Sequence, residues 1–487
     1  MNKNYTLVKE KDIKSQSIKL KLYEHNETKM QILFILGQDD NKSFSVSFNT
    51  PSPEKSGTTH ILEHIVLGGS KKYPVKDPFF EILKGSQANQ INAGTYENKT
   101  KYYFSTTNDK DFQNLLDVYL DSVFDPLILQ ETFQREGYRE IYNKDTGQIE
   151  PQGIVYNEMQ AVLDSVDFVI GKSNLTTLLP EYNFDFGGEP EFIHNITHQK
   201  IVDYYNKYYH PSNAHMIFYG DEFDYEAISE HLDSYLDGYK FKDVEKNPKV
   251  NSASEINHNQ VQFYPALQDD GLHHVTVGFL MPENLSIQEE LLIEFLCYSL
   301  VVSDNSIFKE ELLNTGLGES VITDGFVDGL PRLLFYTGLK NVRKENIPMV
   351  RESIEESMQI YHSHLTAKKV IQSLKKIKYD LLKKHDSQGI HYSNLLDKRW
   401  NLEKDPFETI DISKEFDELE KRIKNNDNFV KKAFTKYFLK NEERTNIEFV
   451  PNTSLKKEFT EKEFNRLQTK LSGLTKKQLE QLTNESE

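Results

Sequence analysis

Two histidines and a glutamate are spaced so that they could bind and use one metal ion. They lie in the segment Thr59-His60-Ile61-Leu62-Glu63-His64. In a helix, residues four positions apart share a face, so the imidazoles of His60 and His64 could bind the same zinc ion. Glu63 shares that face, where its carboxylate could take a proton from a water whose pKa zinc lowers to about 7. The pattern predicts a zinc-dependent hydrolase of the inverted His-x-x-Glu-His type, with Glu63 as the general base.

The alternative is a solvent-exposed helix on which these residues meet by chance. With 15 histidines in 487 residues, the pentapeptide arises in roughly one chain in twenty or thirty of this composition. Five neighbouring residues are strongly apolar: Ile61, Leu62, Ile65, Val66 and Leu67. A helix this apolar is predicted to be buried, and burying two histidines and a carboxylate without partners is costly. A bound metal offsets that cost, which favours the zinc site.

A catalytic zinc site needs a third protein ligand and an open position for water. The single cysteine, Cys297, lies in an apolar run and is predicted to be buried. The ligand must therefore be a carboxylate or another histidine. Glu158 is favoured over Glu136 and Glu140 because it lies on an apolar helical stretch, whereas the charged segment 134–140 is predicted to face solvent. These grounds do not exclude Glu136 or Glu140 as the third ligand.

The elements around these residues predict an α+β fold. Apolar patterning indicates strands at 30–36 and 43–49, the second half-buried with Phe44, Val46 and Phe48 on its inner face. Helical spacing predicts helices at 58–67, 111–124, 155–166 and 201–209, and a further strand follows at 216–219.

A second unit repeats this mix of elements without the His-x-x-Glu-His helix. Its predicted strands and helices are 274–280, 287–302, 334–339, 346–362 and 367–384. A polar stretch at 240–259 predicts a boundary between the two units, and 455–487 predicts two helices separated near Ser472-Gly473. We therefore predict a catalytic zinc domain at 1–245, a similar domain without metal at 260–450 and a helical hairpin at 451–487. An internal duplication explains the two units.

Charge and hydropathy disfavour several classes of partner. The formal charge of −18 argues against nucleic-acid binding, because a phosphate backbone needs a basic surface. No uninterrupted run of eighteen apolar residues is present, so no membrane-spanning helix is expected. The N-terminal residues are polar and lack the pattern of a secretory or transit peptide, which predicts a cytoplasmic protein.

Longer motifs resemble one family. They include Leu67-Gly68-Gly69-Ser70-Lys71-Lys72-Tyr73-Pro74, Val155-Tyr156-Asn157-Glu158-Met159, Tyr209-His210-Pro211-Ser212-Asn213 and Thr337-Gly338-Leu339-Lys340. Together with the pentapeptide they resemble the presequence protease branch of the pitrilysin/insulysin zinc metallopeptidases, the inverzincins. The matching motifs occur in order over nearly the whole chain.

The resemblance implies one zinc ion per chain, bound by His60, His64 and Glu158, with Glu63 as general base. It implies tandem α+β domains and a closed chamber that admits unstructured peptides. It also implies that Asn92 and Ala93 lie on an edge strand that pairs with the substrate backbone. Without the resemblance, Asn92 would be interpreted as a turn residue.

Length is the main departure from the family, whose members are about twice as long and have two halves joined by a helical hairpin. This sequence resembles the N-terminal half, and 455–487 resembles the hairpin. The second half would come from a separate chain, from self-association or from the remainder of a longer gene product. The predicted function is a zinc endopeptidase that degrades short unstructured peptides and needs a second half for full activity. The alternative is a non-catalytic peptide-binding or assembly subunit of a larger complex.

Overall fold

Two sheets, each packed against helices, form the body of the protein. The computed structural model describes residues 1–76, 78–182, 186–245, 256, 258–266, 268, 271–383, 385 and 387–484. The predicted fold class is confirmed: two tandem α+β units are followed by a helical hairpin. The predicted boundary at 240–259 falls largely outside the described residues, and the domain limits 1–245, 260–450 and 451–487 remain a prediction.

The strands of the described residues are, in chain order, β1 (Tyr5–Ile13), β2 (Ile18–His25), β3 (Gln31–Gly37), β4 (Lys42–Asn49), β5 (Ala88–Thr95), β6 (Lys99–Thr106), β7 (Arg139–Asn143), β8 (Gln148–Gln152), β9 (Ala214–Gly220), β10 (Asn259–Pro265), β11 (Leu272–Leu280), β12 (Ser320–Val321), β13 (Phe326–Val327), β14 (Leu334–Arg343) and β15 (Arg444–Asn452).

The α-helices of the same residues are α1 (Thr58–Val66), α2 (Pro78–Gly85), α3 (Asp109–Phe124), α4 (Gln130–Glu136), α5 (Ile154–Val162), α6 (Val166–Leu178), α7 (Pro190–Ile193), α8 (His198–Tyr208), α9 (Tyr225–Leu236), α10 (Ile287–Cys297), α11 (Ile307–Asn314), α12 (Ile347–His364), α13 (Ala367–Leu382), α14 (Gln388–Trp400), α15 (Pro406–Ile410), α16 (Ser413–Asn425), α17 (Asp427–Phe434), α18 (Leu455–Ser472) and α19 (Lys476–Asn484).

The two large sheets share one topology. The first, sheet 1, has the order β1-β2-β3-β9-β4-β6-β5, and the second, sheet 2, has the order β10-β15-β11-β14-β12 with β13 also paired to β14. Five strands correspond, β3-β9-β4-β6-β5 to β10-β15-β11-β14-β12. In both sets the first pair is parallel and the remaining pairs are antiparallel. This repeated order supports the predicted duplication.

Strand β4 differs from its prediction as a half-buried strand. Ser43, Ser45 and Ser47 are buried as well as the apolar residues between them. The reason is that α14, from a distant part of the chain, lies on this face. Ser45 Oγ is 2.6 Å from Ser393 Oγ, and Ser47 Oγ donates to Asp397 at 3.1 Å. The serines of β4 therefore line a polar contact between sheet 1 and α14, and they do not face solvent.

The two units exchange the helices that cover their outer faces. Leu396 and Trp400 of α14 pack with Leu33 and Ile217 of sheet 1. In the opposite direction, α6 of the first unit packs on sheet 2, where its residues Ile170 and Leu178 join Ile447 and Phe449 in one cluster. One face of each sheet is therefore covered by a helix of the other unit.

A buried charge cluster lies where α14 crosses sheet 1. Asp397 pairs with Lys101 Nζ at 2.7 Å and with His215 Nε2 at 3.0 Å, and the side chains of Asp397 and Lys101 are 2% and 1% exposed. Burial alone would raise the pKa of Asp397, but the charges of Lys101, His215 and Lys99 outweigh it and hold that pKa well below its usual range. The cluster joins the two units through an ionised carboxylate.

One segment of the second unit is apolar enough to cross a membrane by length and composition. The segment Ile287–Asn314 contains an 18-residue window with a mean hydropathy of 1.5, although charged residues interrupt its apolar runs. Within its most apolar window, 56% is buried inside the protein, and Phe295, Leu296 and Cys297 belong to the core of the second unit. Core helices pass the same test, so this segment is weak evidence for a membrane span.

The C-terminal hairpin consists of α18 and α19, as predicted, with Gly473 ending the first helix. It is anchored to the first unit by ion pairs. Arg466 Nη1 and Lys470 Nζ contact the carboxylate of Glu140 at 2.8 and 2.5 Å. These two cations outweigh the effect of burial and lower the pKa of Glu140.

Candidate active site

Helix α1 presents the predicted metal-binding residues on one face because its other faces are buried. Ile61, Leu62, Ile65 and Val66 are at most 1% exposed, and the helix packs against α4, α8 and β5. The helix ends one residue before Leu67, so the predicted end is correct to within one residue. The polar face that remains carries His60, Glu63 and His64.

A close approach of two backbone segments fixes the start of α1. Gly57 precedes the helix with φ of 72°, and Gly188 has φ of 88°. A Cβ at Gly188 would lie 2.6 Å from the Cα of Gly57. Thr59 Oγ1 also donates to the carbonyl of Phe186 at 2.8 Å. The glycines therefore allow the 186–188 segment to hold the first turn of the helix that carries His60.

We expect Gly188→Ala to destabilise the protein more than Gly238→Ala. Both glycines have a positive φ, at 88° and 84°. Each variant therefore places an alanine in the left-handed region, which costs free energy. Gly238 has open space around its Cβ position, whereas Gly188 meets backbone. The difference in free energy of unfolding should be about 1–3 kcal/mol, measured by denaturant titration. Equal losses would show that the contact with Gly57 is not tight.

His60, His64 and Glu158 converge as the sequence predicts. One ligand atom of each lies within 4.8 Å of the others. Glu158 Oε2 is 3.8 Å from His60 Nε2 and 3.9 Å from His64 Nε2, and the two rings are nearly perpendicular at 79°. Two imidazoles and a carboxylate are a donor set that catalytic zinc uses. Within the described part of the chain, no other group of three His, Cys, Asp or Glu residues meets this distance criterion.

The choice of Glu158 agrees with this geometry, but the burial argument for it was wrong. The side chain of Glu158 is 50% exposed, whereas those of Glu136 and Glu140 are 9% and 7% exposed. Glu158 projects from α5, whose buried residues Val155, Tyr156 and Met159 face the interior. Low solvent exposure therefore does not favour Glu158 over Glu136 and Glu140, and its convergence with His60 and His64 is the observation that favours it.

Glu136 has a different role, which the sequence did not reveal. Its Oε2 is 3.1 Å from His64 Nδ1, and its Oε1 accepts from Arg135 Nε at 2.8 Å. Burial would raise the pKa of Glu136, but these two hydrogen bonds lower it, which favours the carboxylate as the acceptor of a hydrogen bond from Nδ1 of His64. In a neutral ring with its proton on Nδ1, Nε2 of His64 carries the lone pair and faces Glu158. No spacing rule links α4 to α1, so only the fold identifies this partner.

Glu63 is held in place by the neighbouring strand. It is 8% exposed, and its Oε2 accepts from Thr95 Oγ1 at 2.8 Å. Thr95 is the last residue of β5, so the edge strand and the proposed base are directly linked. Sequence analysis did not single out Thr95, since a threonine at a strand end carries no distinctive signal.

Asn92 and Ala93 lie on β5, which is an edge strand of sheet 1. Asn92 is therefore in a strand and not in the turn that its residue type suggests. Its side chain is exposed and its carbonyl accepts from Tyr119 at 3.2 Å. Among the described residues no strand pairs with the outer edge of β5, which lies next to Glu63, and an unpaired edge is the geometry that strand addition requires.

The sequence matches two family descriptions. Residues 50–160 match "Insulinase (Peptidase family M16)", and residues 195–374 match "Peptidase M16 inactive domain". These two stretches of the chain are M16-family domains. The His60–His64 segment and Glu158 both lie within the first match, and α10 of the second unit lies within the second match.

Curated relatives match nearly the whole chain. Presequence protease 1 of Arabidopsis thaliana is 33% identical over 98% of this chain and 45% of its own length. Protein HypA of Clostridium perfringens is 29% identical over 95% of this chain and 47% of its own length. The chain spans about half the length of the curated relatives it matches.

Solved structures of M16 proteins share the fold. A protease from Helicobacter pylori superposes with a TM-score of 0.67 at 16% identity, covering 89% of this chain and all of that protein. Pitrilysin superposes with a TM-score of 0.63 at 14% identity, covering 93% of this chain and 47% of pitrilysin. At these identities the likeness concerns the fold alone.

Proposed function

We propose that this protein is a zinc-dependent endopeptidase that degrades short unstructured peptides. The observation that supports this most directly is the convergence of His60, His64 and Glu158 within 4.8 Å, with Glu63 on the same helix face. The buried Nδ1 of His60 has no hydrogen-bond partner among the described residues, so its ring is free to adjust towards a metal. These residues fit a zinc ion.

Each side chain has a distinct part in the proposed reaction. His60, His64 and Glu158 would hold the zinc, which when bound supplies a Lewis acid that acidifies water and polarises the scissile carbonyl. Glu63 takes the proton of the attacking water and passes it to the leaving amine. Thr95 orients the carboxylate of Glu63, and Glu136 holds His64 in the tautomer that directs Nε2 at the metal.

The substrate would bind as an extra strand on β5. Backbone pairing with Asn92 and Ala93 would place an extended peptide alongside Thr95 and hence beside Glu63. Folded proteins cannot present an extended segment to this edge without unfolding, which is why unstructured peptides are the proposed substrates. A second M16 half, supplied by another chain or by a longer gene product, would face this site and add groups that stabilise the oxyanion.

Zinc content and peptide cleavage together test the proposal. We expect about one zinc per chain and cleavage of an unfolded reporter peptide, stimulated by a candidate second half and lost after chelation. Stoichiometric zinc without any cleavage, even with the second half added, would contradict the endopeptidase. It would favour the non-catalytic peptide-binding subunit, a role that the match of residues 195–374 to an inactive domain makes the main alternative.

Glu136→Gln should weaken zinc binding by about ten- to a hundred-fold while leaving the fold intact. The amide is neutral and loses the charge-assisted hydrogen bond to His64 Nδ1. Glu158→Gln should weaken binding more, since a direct ligand is lost. Chelator competition measures both affinities.

The matched control is Glu131→Gln, an exposed glutamate on the same helix as Glu136. It should not change zinc affinity. Unchanged affinity in Glu136→Gln would show that the contact with His64 does not orient the ring.

A further inference from the structure

Strand β10 is an edge whose counterpart in sheet 1 is covered. Both β3 and β10 are seven residues long and pair in parallel with the next strand of their sheets. The outer side of β3 is occupied by β2, which runs antiparallel to it. Among the described residues no strand pairs with the outer side of β10. The internal repeat therefore indicates that the missing neighbour of β10 is an antiparallel strand.

The apolar face of β10 is also covered only in part. In the first unit the helix that follows β9 is α9, whose Tyr225 packs on Phe34 of β3. In the second unit the helix that follows β15 is α18, which packs on the first unit at β8 and touches β10 without covering it fully. As a result Val261 and Phe263 of β10 are 57% and 50% exposed. An exposed apolar pair on an open edge strand marks a site of association.

The backbone groups of β10 are arranged for pairing. The carbonyl of His258 accepts from Asn446 and the amide of Ala266 donates to Asn452 on β15, at 2.9 and 3.3 Å. By the alternation of a strand, even-numbered residues face β15 and odd-numbered residues face outward. Val261 and Phe263 therefore present their amides and carbonyls to the open side. Among the described residues, the Phe263 carbonyl has one long side-chain contact, at 3.4 Å from Gln262 Nε2.

The charge distribution is compatible with a second copy of this chain as the occupant. The chain carries a formal charge of −18, so two copies repel wherever acidic surfaces meet. The strand Asn259-Gln260-Val261-Gln262-Phe263-Tyr264-Pro265 contains no charged residue, and natural edge strands that avoid self-association usually carry one. A second copy can approach this strand without placing like charges opposite each other.

We propose that two copies of this chain associate through an antiparallel pairing of their β10 strands about a two-fold axis at Gln262. In this register Val261 lies opposite Phe263 of the partner subunit, an aromatic and β-branched pair that stabilises antiparallel strands. The outward amides and carbonyls of the two residues then bond each other. Pro265, which has no amide hydrogen, limits the ladder at its ends. The contact is one strand wide, so the dimer is weak and forms at micromolar or higher concentrations.

The register can be tested by cross-linking. At the two-fold axis Gln262 faces its own copy in a non-hydrogen-bonded pair with Cα atoms about 4.5 Å apart, within disulfide range. The native cysteine, Cys297, is buried. Gln262→Cys therefore introduces a solvent-accessible thiol that the described residues otherwise lack. Mild oxidation should produce a covalent dimer of Gln262→Cys. Gln260→Cys is the control, since its two copies would be about 14 Å apart along the strands.

Sedimentation of the full chain over a concentration series tests the association itself. We expect a monomer–dimer equilibrium that Val261→Lys weakens at least ten-fold, whereas Phe464→Lys, at a 45% exposed aromatic on α18, leaves it unchanged. A monomer at all concentrations, equal association in Val261→Lys, or equal cross-linking of both cysteine variants would overturn the proposal. Binding of an extended peptide to β10 without self-association would also overturn it.

Discussion

Glu63→Gln is expected to abolish peptide cleavage while zinc binding is retained. The glutamine keeps the size of the side chain and can still accept from Thr95 Oγ1, which lies 2.8 Å from Glu63 Oε2. It cannot take a proton, so the loss should reach about a hundred- to ten-thousand-fold in kcat. Zinc should remain near one per chain because Glu63 is not among the three converging ligands. Metal analysis and turnover of an unfolded reporter peptide measure the two effects.

The control for this variant is Glu81→Gln, a glutamate whose side chain is 64% exposed on α2. It should cleave the reporter at the rate of the unmodified protein. Loss of zinc together with activity in Glu63→Gln would mean that Glu63 is a ligand, and full activity would remove it from the reaction.

Asp397→Ala is expected to cost about 3–5 kcal/mol of stability. The substitution leaves Lys101, which is 1% exposed, without its carboxylate, and it also removes the partner of His215. An uncompensated buried charge is more costly than the absence of the whole pair. The free energy of unfolding, measured by urea titration at neutral pH, should fall by this amount.

Two comparisons separate burial of charge from loss of packing. Asp417→Ala removes a 59% exposed carboxylate that pairs with Lys378, and it should cost less than about 1 kcal/mol. The double variant Asp397→Leu with Lys101→Met should recover part of the stability, because neither charge is then buried alone. If Asp397→Ala lowers the free energy of unfolding no more than Asp417→Ala does, then removing the carboxylate does not leave a costly buried charge on Lys101.

The same cluster predicts a dependence of stability on pH. Folding lowers the pKa of Asp397, so its contribution is complete above the unfolded value of about 4. The contribution is lost as the pH falls through the folded pKa. In Asp397→Ala this acid-dependent part of the stability should be missing, which urea titrations between neutral and acidic pH would detect.

Local spacing allowed the core of the site to be predicted. His60, Glu63 and His64 lie within five residues of one helix, so the geometry of a single turn determines their relation. The two helices that meet near Ser472-Gly473 could likewise be predicted from local composition. In both cases the information lies within one element and does not depend on distant packing.

Contacts between distant elements could not be predicted in this way. Glu136 reaches His64 only because α4 packs on α1, and Ser45 is buried only because α14 lies on it. The exposure of Glu158 depends on which side of α5 faces solvent. Burial inferred from neighbouring residue types therefore failed at these three positions, each of which is set by tertiary structure.

The exchange of covering helices also constrains how the chain folds during synthesis. The strands of sheet 1 end at Gly220, yet Leu33 and Ile217 are covered by Leu396 and Trp400. As the chain emerges from the ribosome, this apolar face stays uncovered until the residues of α14 have been made. The nascent first unit therefore exposes apolar surface that is prone to aggregation for much of its synthesis, and its folding is complete only after the second unit has been made.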